Sequence, residues 1–345
     1  MSFAAGSAIV LAAALDRTLA EPPNRFHPVA LFGSVVAALV DHLPDTRTIG
    51  VIVALGVPIV AAVCAVGIVV TGARIQPILA PVLAGLILFS CTSRQMLVNC
   101  AHEVVHLTTT DSDRAREALR AVAGRDAAQL SAEQLRSAAV ESAAENLSDG
   151  LIAPLLGFAV GWMVALQILS QLTGPIDATI AMMPITAKTT FPAITTPTAM
   201  TTPTATALAV ATGTAAWVKG VNTLDSMYGY HDRQLGWGPA RLDDLVMWIP
   251  ARLTAVAIAI VGTPRSVGRT LRQAREWARV PISPNAGWPM ATLASVLAVR
   301  LEKPGIYDLF PDQSLPTPTV ATTGIHVISR TGWAWFGVVA VVVSI

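Results

Sequence analysis

Apolar residues occupy long stretches of the chain that contain no charged residue. Three such stretches lie between Arg47 and Arg74, between Arg74 and Arg94, and between Asp149 and Asp177. Each is close to or longer than the roughly 20 apolar residues that an α-helix needs to cross the hydrocarbon core of a bilayer. The pattern therefore predicts three transmembrane helices at these positions.

Shorter apolar runs are marginal for a complete crossing by the same criterion. They cover residues 1–15, 26–40, 253–264 and 331–345, whereas 204–218, the second half of the run between Lys188 and Lys219, is predicted to be membrane-capable. The first is interpreted as a membrane helix and not as a signal peptide, because it has no basic region before its apolar residues. Segment 245–262 contains Pro250 and Arg252, and we expect it to be re-entrant or interfacial, since broken backbone is tolerated where it lines a polar cavity.

Polar sequence separates the apolar runs in three places. These are a predicted helical insert at 94–149, a Thr/Pro-rich loop at 174–206 and a basic segment at 263–330. In the insert, Ser112 can cap one helix, and Ser131 with Gln134 has the spacing of a capping box that opens the next. Five arginines at 265–279 favour the cytoplasmic side for the polar loops.

These patterns predict an all-α integral membrane protein. We expect one membrane-embedded domain over residues 1–345, a multi-pass helical bundle with cytoplasmic helical loops that form the active site. Composition agrees, because 53% of the residues are hydrophobic and only 13% are charged, against about 25% charged residues in soluble domains.

Charge and motifs exclude several classes of protein. The net charge of +1 provides no basic field for nucleic acid. The three cysteines lack the spacing of a zinc site or a disulfide framework. The chain also has no glycine-rich P-loop, HExxH or GxSxG motif, so a bound nucleotide would require a site of another kind.

The stretch VESAAENLSDGLIAP, which begins at residue 140, concentrates acidic residues. On a helix, Glu141 and Glu145 lie one turn apart on one face, and Ser148 or Asp149 follows on nearly the same line. Like charges at this spacing repel one another, and a divalent cation such as Mg²⁺ would relieve the repulsion. The alternative is a solvated helix face that ends in a simple turn at Asp149 and Gly150.

A second polar stretch, WVKGVNTLDSMYGY, begins at residue 217. If it is helical, Lys219, Asn222 and Ser226 share a face and Asp225 lies at its edge. A lysine beside a carboxylate could hold a phosphate while the acid holds a metal ion. The alternative for Lys219 alone is a side chain that snorkels from the end of a membrane helix.

A third stretch, GWGPARLDDLVMWIPARLTA, combines acids and arginines around an apolar run. Asp243 and Asp244 point in different directions on a helix, so at most one is expected to meet a shared ligand. Both acids could instead favour the positive end of a helix dipole. Arg252 lies among apolar residues, where a charge needs a partner, and is therefore a functional-site hypothesis.

Two turn-rich stretches, EPPNRFHP at 21–28 and SPNAGWP at 283–289, contain residues that fix backbone shape. Their polar and aromatic residues could line a pocket for a large polar ligand, namely Asn24, Arg25, His27, Asn285 and Trp288. Structured turns without a ligand are the alternative.

In this order, the polar blocks resemble the adenosylcobinamide-phosphate synthase family of cobalamin biosynthesis (CobD/CbiB). The resemblance runs from Leu15 to about Ala298, through LDRTLAEPPNRFHPVALFG, VESAAENLSDGLIAPL, VNTLDSMYGY, GPARLDDLVMWIPARLTA and SPNAGWPMATLA. The Thr/Pro-rich stretch departs from the family pattern and looks like an insertion. No family motif is found beyond Leu309.

The resemblance implies a multi-pass enzyme of the inner cell membrane with its catalytic loops in the cytoplasm. It would join a carboxylate of adenosylcobyric acid to (R)-1-aminopropan-2-ol or its O-phosphate, with ATP and Mg²⁺, and release adenosylcobinamide or its phosphate. The other expected partners are membrane lipid and further membrane enzymes of the pathway.

On this basis we assign site residues as hypotheses. Glu141, Glu145 and Lys219 are expected to be catalytic, with Glu141 as a base for the incoming ammonium group and Lys219 as a cation for phosphate. The expected metal ligands are Glu145, Asp149, Asp225 and Asp243. The expected substrate-binding residues are Asn24, Arg25, His27, Asn146, Asn222, Arg241, Arg252, Asn285 and Trp288.

Two other functions fit the residues alone. A transporter for a corrinoid or cobalt would use Arg252 and the acids to line its path. A membrane scaffold would need none of the charges for catalysis. The charges cluster at predicted helix ends and not repeatedly in mid-span, which favours a catalytic site.

Overall fold

The computed structural model is almost entirely helical, which confirms the predicted fold class. It describes residues 2–22, 25, 27–123, 127–182, 203–229 and 233–345. The first helices are α1 (Ser2–Leu19), α2 (Pro28–Val40), α3 (Arg47–Ile75), α4 (Leu79–Cys91), α5 (Arg94–Leu107), α6 (Ser112–Ala123) and α7 (Ala132–Leu147). A π-helical turn, Ser148–Ile152, joins α7 to α8 (Ala153–Met182).

The second half of the chain adds helices and one small hairpin. The helices are α9 (Pro203–Tyr228), α10 (Trp237–Val246), α11 (Trp248–Gly262), α12 (Val267–Trp277), α13 (Gly287–Leu297) and α14 (Pro318–Val342). Strands β1 (Leu301–Lys303) and β2 (Tyr307–Leu309) pair antiparallel, with Leu301 opposite Leu309.

Within the described residues, four helical stretches are long and apolar enough to cross a membrane. They are Arg47–Ile75, Leu79–Leu107, Ala132–Leu172 and Pro318–Val342. The first three contain the apolar parts of the three predicted spans. Helices α10 and α11 meet at a bend of 47° and together form either a broken span or a re-entrant loop, which matches the expectation for segment 245–262. The chain is therefore a multi-pass membrane protein.

Two apolar runs that were predicted to be membrane-capable, 1–15 and 204–218, form helices that are not among those stretches. Helix α1 has only 18 residues and carries Asp16 and Arg17 near its end. Helix α9 contains five threonines and two glycines, which lower its hydropathy. It is nevertheless buried, because α3, α4 and α8 surround it.

The boundaries of the polar segments differ from those predicted. Helix α5 begins two residues after α4 and extends the same membrane-capable stretch, and α7 continues into α8, so the predicted insert at 94–149 contracts to 108–131. Polar residues of α5 and α7, such as Arg94 and Glu141, are buried in the bundle and not in solvent. The basic segment predicted at 263–330 includes the first half of α14, whose buried face carries Ile325 and Ile328 between threonines.

The predicted Thr/Pro-rich loop is also shorter at both ends. Helix α8 continues to Met182 and α9 begins at Pro203, while residues 183–202 lie outside the described residues. The capping box of Ser131 and Gln134 is confirmed, since both of its hydrogen bonds form. Asp111, and not Ser112, caps α6 by accepting hydrogen bonds from the backbone N–H groups of Asp113 and Arg114.

Small residues let the central helices approach closely. Gly157 and Gly161 on α8 face α9, and a Cβ atom on either would lie about 3 Å or less from α9 atoms. Close packing of this kind drives helix association in membranes, where burial of apolar surface contributes little. The contact places the C-terminal end of α9 beside the π-helical turn.

A second close approach joins the start of α3 to α10. A Cβ on Gly50 would overlap the backbone of Leu235, and one on Gly238 would overlap the backbone of Gly50. Only glycine permits these contacts. They bring Arg47, the first residue of α3, to the same end of the bundle as α10.

A buried ion pair ties α1, α5 and α14 together. The Arg94 Nε donates to Asp16 Oδ2 at 2.9 Å, and the two side chains are 1% and 0% exposed. The remaining donors of Arg94 reach Ser329 and Gln95, and the backbone N–H of Gln95 donates to Asp16 Oδ1. The guanidinium group also lies 4.3 Å from the ring centroid of Trp333.

Candidate active site

Two adjoining cavities open where α9 ends and α7 meets α8. The first, which we name the acidic cavity, has a volume of about 370 Å³. Its polar lining residues are Ser142, Glu145, Asn146, Asp149, Asn222, Asp225, Ser226, Ser283, Lys303 and Tyr307. Volumes of this size are typical of small-molecule sites.

The second, which we name the arginine cavity, has a volume of about 690 Å³ and shares Asp225, Ile282 and Ser283 with the first. Its charged lining residues are Arg47, Asp225, Arg233, Arg241, Asp243 and Asp244. The two cavities therefore form one continuous polar site.

Acidic side chains from four helical elements lie around the wall that the two cavities share, which is formed by Asp225, Ile282 and Ser283. Asp149 lies in the π-helical turn, where its charge interacts with those of Glu145, Lys219 and Asp225. Asp243 on α10 interacts with the charges of Asp149 and Asp225 and accepts a hydrogen bond from Asn222. The four predicted metal ligands thus form one electrostatic cluster, although they come from positions about a hundred residues apart.

The cluster fits a cation whose coordination is completed by substrate. One oxygen of Asp243, Oδ1, is buried without a hydrogen-bond partner among the described residues. Over the same part of the chain, no three His, Cys, Asp or Glu side chains converge closely enough to hold a metal ion by themselves. Mg²⁺ does not require such a cage, since it usually takes one or two carboxylates together with water and substrate phosphates.

Local backbone geometry makes room for these acids. π-Helical turns are rare and occur frequently at functional sites, and this one carries Asp149. At the end of α9, a Cβ atom on Gly229 would overlap the carboxylate of Asp225. Glycine at position 229 therefore allows Asp225 to lie between the two cavities.

Arginine side chains line the arginine cavity on the other side of the shared wall. Arg47 lies 5.9 Å from the ring centroid of Trp237, and Arg233 lies 5.5 Å from that of Tyr228. Arg241 is 66% exposed and pairs with Asp244 at 3.5 Å. The cavity thus presents cations opposite carboxylates, an arrangement that suits a phosphate group bound together with a metal ion.

Glu141 lies beneath the acidic cavity and does not line it. Its carboxylate is fully buried and accepts hydrogen bonds from Ser137 Oγ and from the Tyr307 hydroxyl, each at 2.7 Å. Tyr307 is the cavity-lining residue of this chain of contacts. The structure therefore places Glu141 as a support for Tyr307, one residue removed from the cavity space.

Arg252, Asn285 and Trp288 pack against one another beside the arginine cavity. Arg252 Nη1 donates to Asn285 Oδ1 at 2.6 Å, and its guanidinium group lies 5.3 Å from the ring centroid of Trp288. Asn285 Nδ2 donates in turn to the backbone carbonyl of Asp244 at 2.8 Å. These contacts brace the loop that carries Ser283, and they supply the partner that an arginine among apolar residues requires.

A third cavity, which we name the lysine cavity, lies on the other side of α9. It has a volume of about 360 Å³, and its polar lining residues are Glu21, His27, Ser90, Thr92, Ser93, Lys219 and Thr223. Lys219 therefore lines a different cavity from Asn222 and Ser226. Burial raises the pKa of Glu21, and the charge of Lys219 opposes this shift. Burial, together with Lys219, lowers the pKa of His27.

The remaining predicted residues fall in different places. Asn146 lines the acidic cavity and donates hydrogen bonds to Ser142. Arg25 is exposed and lines none of the three cavities, and Asn24 lies outside the described residues.

Sequence reasoning did not single out several cavity-lining residues. These are Glu21, Arg47, Arg233, Ser283, Lys303 and Tyr307. The last two flank the turn of the β-hairpin, where Gly305 adopts a positive φ of 73°. The Pro-Gly pair at 304–305 is a turn signal that could have indicated this hairpin.

Comparison with known proteins supports the family resemblance that the polar stretches of the sequence indicate. The family model described as CobD/Cbib protein matches residues 9–183 and 195–327. The chain belongs to the CobD/CbiB family. The match is interrupted within the Thr/Pro-rich stretch, and it extends beyond Leu309, where sequence inspection found no motif.

Relatives from archaea and bacteria resemble the family member over most of its length. A probable cobalamin biosynthesis protein CobD from Methanothermobacter thermautotrophicus is 34% identical over 88% of this chain and 86% of its own length. A cobalamin biosynthesis protein CobD from Rhodobacter capsulatus is 33% identical over 89% of this chain and 84% of its own length. No solved structure matches the chain.

Proposed function

We propose that this CobD/CbiB family member acts in cobalamin biosynthesis as an ATP-dependent ligase. It would join a carboxylate of adenosylcobyric acid to (R)-1-aminopropan-2-ol or its O-phosphate and form adenosylcobinamide or its phosphate. The names of its relatives support the pathway. The reaction is supported by one observation, the cluster of Asp149, Asp225 and Asp243 that faces arginines across a shared wall.

An ionised carboxylate resists attack by an amine, so the reaction needs activation of the acid. In the proposed first step, a carboxylate oxygen attacks the γ-phosphorus of ATP, the bond to the β-γ bridging oxygen breaks, and ADP leaves. In the second step, the amine nitrogen attacks the acyl carbon, a C–N bond forms, and the C–O bond to phosphate breaks. The ammonium substrate loses two protons, one of which leaves with hydrogen phosphate while the other enters solution.

Phosphoryl transfer depends mainly on positioning and on neutralisation of charge. Glu145, Asp149, Asp225 and Asp243 would hold Mg²⁺, which neutralises charge on the transferred phosphoryl group when it is bound. Arg47, Arg233 and Arg241 would bind phosphate oxygens from the arginine cavity. No covalent nucleophile is required of the protein.

Polar residues of the acidic cavity would orient the two acceptor substrates. Tyr307 presents its hydroxyl group there, held by the buried Glu141. In this proposal Glu141 positions Tyr307, because Glu141 itself has no exposure to the cavity. Asn146, Asn222 and Ser283 supply further polar groups to the lining.

The cavities are proposed to open on the cytoplasmic face of the cell membrane, where ATP is available. The charges that line them come from helix ends, since Arg47 begins α3, Asp149 precedes α8 and Asp225 lies in the last turn of α9. Helix α12, which carries arginines, leads directly into the loop that lines both cavities. This placement fits a catalytic site at one membrane face better than a path through the bilayer.

The test is an assay of the detergent-solubilised protein with adenosylcobyric acid, aminopropanol phosphate or aminopropanol, ATP and Mg²⁺. We expect cobinamide product and ADP in equal amounts, with product lost in Glu145→Gln. The matched control is Glu103→Gln, an exposed acid on α5 that lines none of the three cavities. Folded protein that forms no product with either amine would contradict the ligase and favour corrinoid transport.

A further inference from the structure

A strongly basic stretch of the chain follows helix α11 after a short turn. The arginines within residues 265–279 are accompanied there by a single acid, Glu276. All of them are exposed, namely Arg265, Arg269, Arg272, Arg275 and Arg279. None of them forms an ion pair within 4.0 Å with another described residue. The proposed reaction assigns no role to these cations, so their charge is open to a partner outside the protein.

Helix α12, which carries the middle of this stretch, is fixed to the protein by one side. Thr270 and Ala274 are buried on that side. The hydroxyl groups of Thr263 and Thr270 are hydrogen-bonded at 2.9 Å, which joins α12 to the end of α11. The rings of Trp277 and Phe310 lie 5.5 Å apart, which joins α12 to the β-hairpin. The helix is therefore held in one orientation about its axis.

The arginines lie on the opposite side of α12. Successive residues of a helix are rotated by about 100°, so Arg269, Arg272 and Arg275 point away from the buried side that contains Thr270 and Ala274. We name the surface formed by these three arginines the basic face. Its orientation is set by packing of the other side of the helix, and it presents guanidinium groups to the surroundings of the protein.

The stretch begins next to a surface that contacts lipid. Ile249, Val256 and Ile260 of α11 are exposed, and their spacing places them on one face of the helix. Helices α10 and α11 together are long and apolar enough to enter a membrane, and an exposed apolar face on such a helix marks contact with lipid. Arg265 follows soon after Gly262, the last residue of α11, so the arginines start near the membrane surface.

The other end of the stretch reaches the candidate active site. The charge of Arg279 acts on that of Arg252, which lies beside the arginine cavity. The chain then enters the loop whose Ile282 and Ser283 line both cavities. A Cβ atom on Gly287 would overlap the backbone of Ala278, so this loop closes directly against the end of α12. The basic stretch therefore connects a lipid-contacting helix with a wall of the site.

We propose that the basic face of α12 binds the headgroups of anionic phospholipids. Guanidinium groups bind phosphate oxygens in bidentate geometry. An arginine of a basic segment beside a membrane helix typically increases the affinity for an anionic membrane about fivefold. Lipid bound here would anchor α12 to the membrane surface and thereby hold the loop that it leads into. Such binding does not depend on the ligase function, since no catalytic residue takes part.

The same face could attract other phosphate-bearing molecules, such as inorganic phosphate or RNA. The position of the face favours lipid, because the arginines follow at once after a helix with an exposed apolar side. The chain as a whole carries a net charge of only +1, so it offers no extended basic field for a nucleic acid. The experiment must nevertheless distinguish these sources of phosphate.

The test measures binding of fluorescent phosphatidylglycerol and phosphatidylcholine to the full chain in neutral detergent micelles. We expect wild type to prefer phosphatidylglycerol, and the triple variant Arg269→Gln/Arg272→Gln/Arg275→Gln to bind it about a hundredfold more weakly. Added salt should weaken binding to wild type, because it screens exposed charges. The matched control is Arg114→Gln/Arg120→Gln, which removes two exposed arginines from α6, where acids accompany them.

Each further outcome decides for or against the lipid. Equal affinity of wild type and the folded triple variant for phosphatidylglycerol would overturn the proposal. Displacement of the lipid by millimolar inorganic phosphate or by an RNA oligonucleotide, at constant ionic strength, would assign the face to a soluble anion and also overturn it. If the triple variant does not fold, the three single variants replace it, each with an expected loss of about fivefold. The measurement needs no turnover, so it stands whether or not the ligase assay yields product.

Discussion

Asp16 and Arg94 lie in the same bundle as Asp149, Asp225 and Asp243, yet their surroundings are opposite. The first two are completely buried, form an ion pair at 2.9 Å and have their other polar atoms hydrogen-bonded. The three aspartates are half-buried around cavities and face one another's charges. The two charges of the first region are paired with each other inside the protein, whereas the acids of the second line cavities that a ligand can enter.

The difference teaches how to distinguish structural from functional acids in a membrane protein. Charges are costly at membrane depth, so a bundle retains them only with partners or for function. The ion pair joins three helices and lines none of the three cavities. The acid cluster joins three helical elements as well, but its like charges repel one another, so we expect a bound cation to stabilise it.

The largest effect is expected when the ion pair is broken. Asp16→Asn leaves the Arg94 charge buried and unpaired, which typically lowers the free energy of unfolding by about 3–5 kcal/mol. Thermal unfolding in detergent should show a large fall in the midpoint or loss of folded protein. Asp113→Asn is the control, since its pair with Arg116 is 94% exposed on the Asp113 side. An unchanged midpoint in Asp16→Asn would contradict a structural role.

The next effect concerns catalysis and should leave folding intact. Asp225→Asn removes the carboxylate shared by both cavities, and we expect product formation to fall about 10²–10³-fold, the loss typical for one strong electrostatic contact in an active site. The assay follows cobinamide product and ADP at saturating substrates. Asp312→Asn, an exposed acid, is the matched control. Full activity in Asp225→Asn would separate the acid cluster from the reaction.

A smaller effect of opposite sign is expected on stability in the acid cluster. Asp243→Asn relieves repulsion from Asp149 and Asp225, and we expect the free energy of unfolding to rise by about 1 kcal/mol while activity is lost. Thermal unfolding without Mg²⁺ measures the gain. Added Mg²⁺ should stabilise wild type more than the variant. A variant less stable than wild type would show that Asp243 is structurally required.

The smallest effect is expected at the rim of the arginine cavity. Arg241 is 66% exposed and pairs with Asp244 at 3.5 Å, so Arg241→Gln should change the free energy of unfolding by less than about 1 kcal/mol. Its KM for ATP should nevertheless increase several-fold. If KM for ATP is unchanged, the nucleotide phosphates lie elsewhere.

The sequence allowed the fold class, three spans and the members of the acid cluster to be predicted, because helix periodicity and apolar length are local properties. The role of Glu141 could not be predicted in the same way. Spacing places Glu141 and Glu145 on one face, but burial against the β-hairpin separates them. Tyr307 reaches that face from more than 160 residues away, and no local pattern encodes such a contact.

Lys219 and Arg47 illustrate the same limit. The cavity that Lys219 lines depends on how α1, α2 and α4 pack around α9. This packing is determined by the assembled bundle and not by the local sequence. Arg47 reaches the site through the close approach of Gly50 and Gly238, two glycines far apart in the chain. The sequence contains both residues, but it does not indicate which residues surround them in the folded bundle.

The π-helical turn at Ser148–Ile152 also sets the rotational phase between two halves of one long helix. A regular α-helix turns by about 100° per residue, so deletion of one residue here would rotate α7 by that angle relative to α8. The glycine face of α8 would still meet α9, while Glu145 and Asn146 would move out of the acidic cavity. The wide turn therefore allows one continuous stretch of 41 residues to have two orientations. The glycines of α8 face α9, and Glu145 and Asn146 of α7 face the acidic cavity.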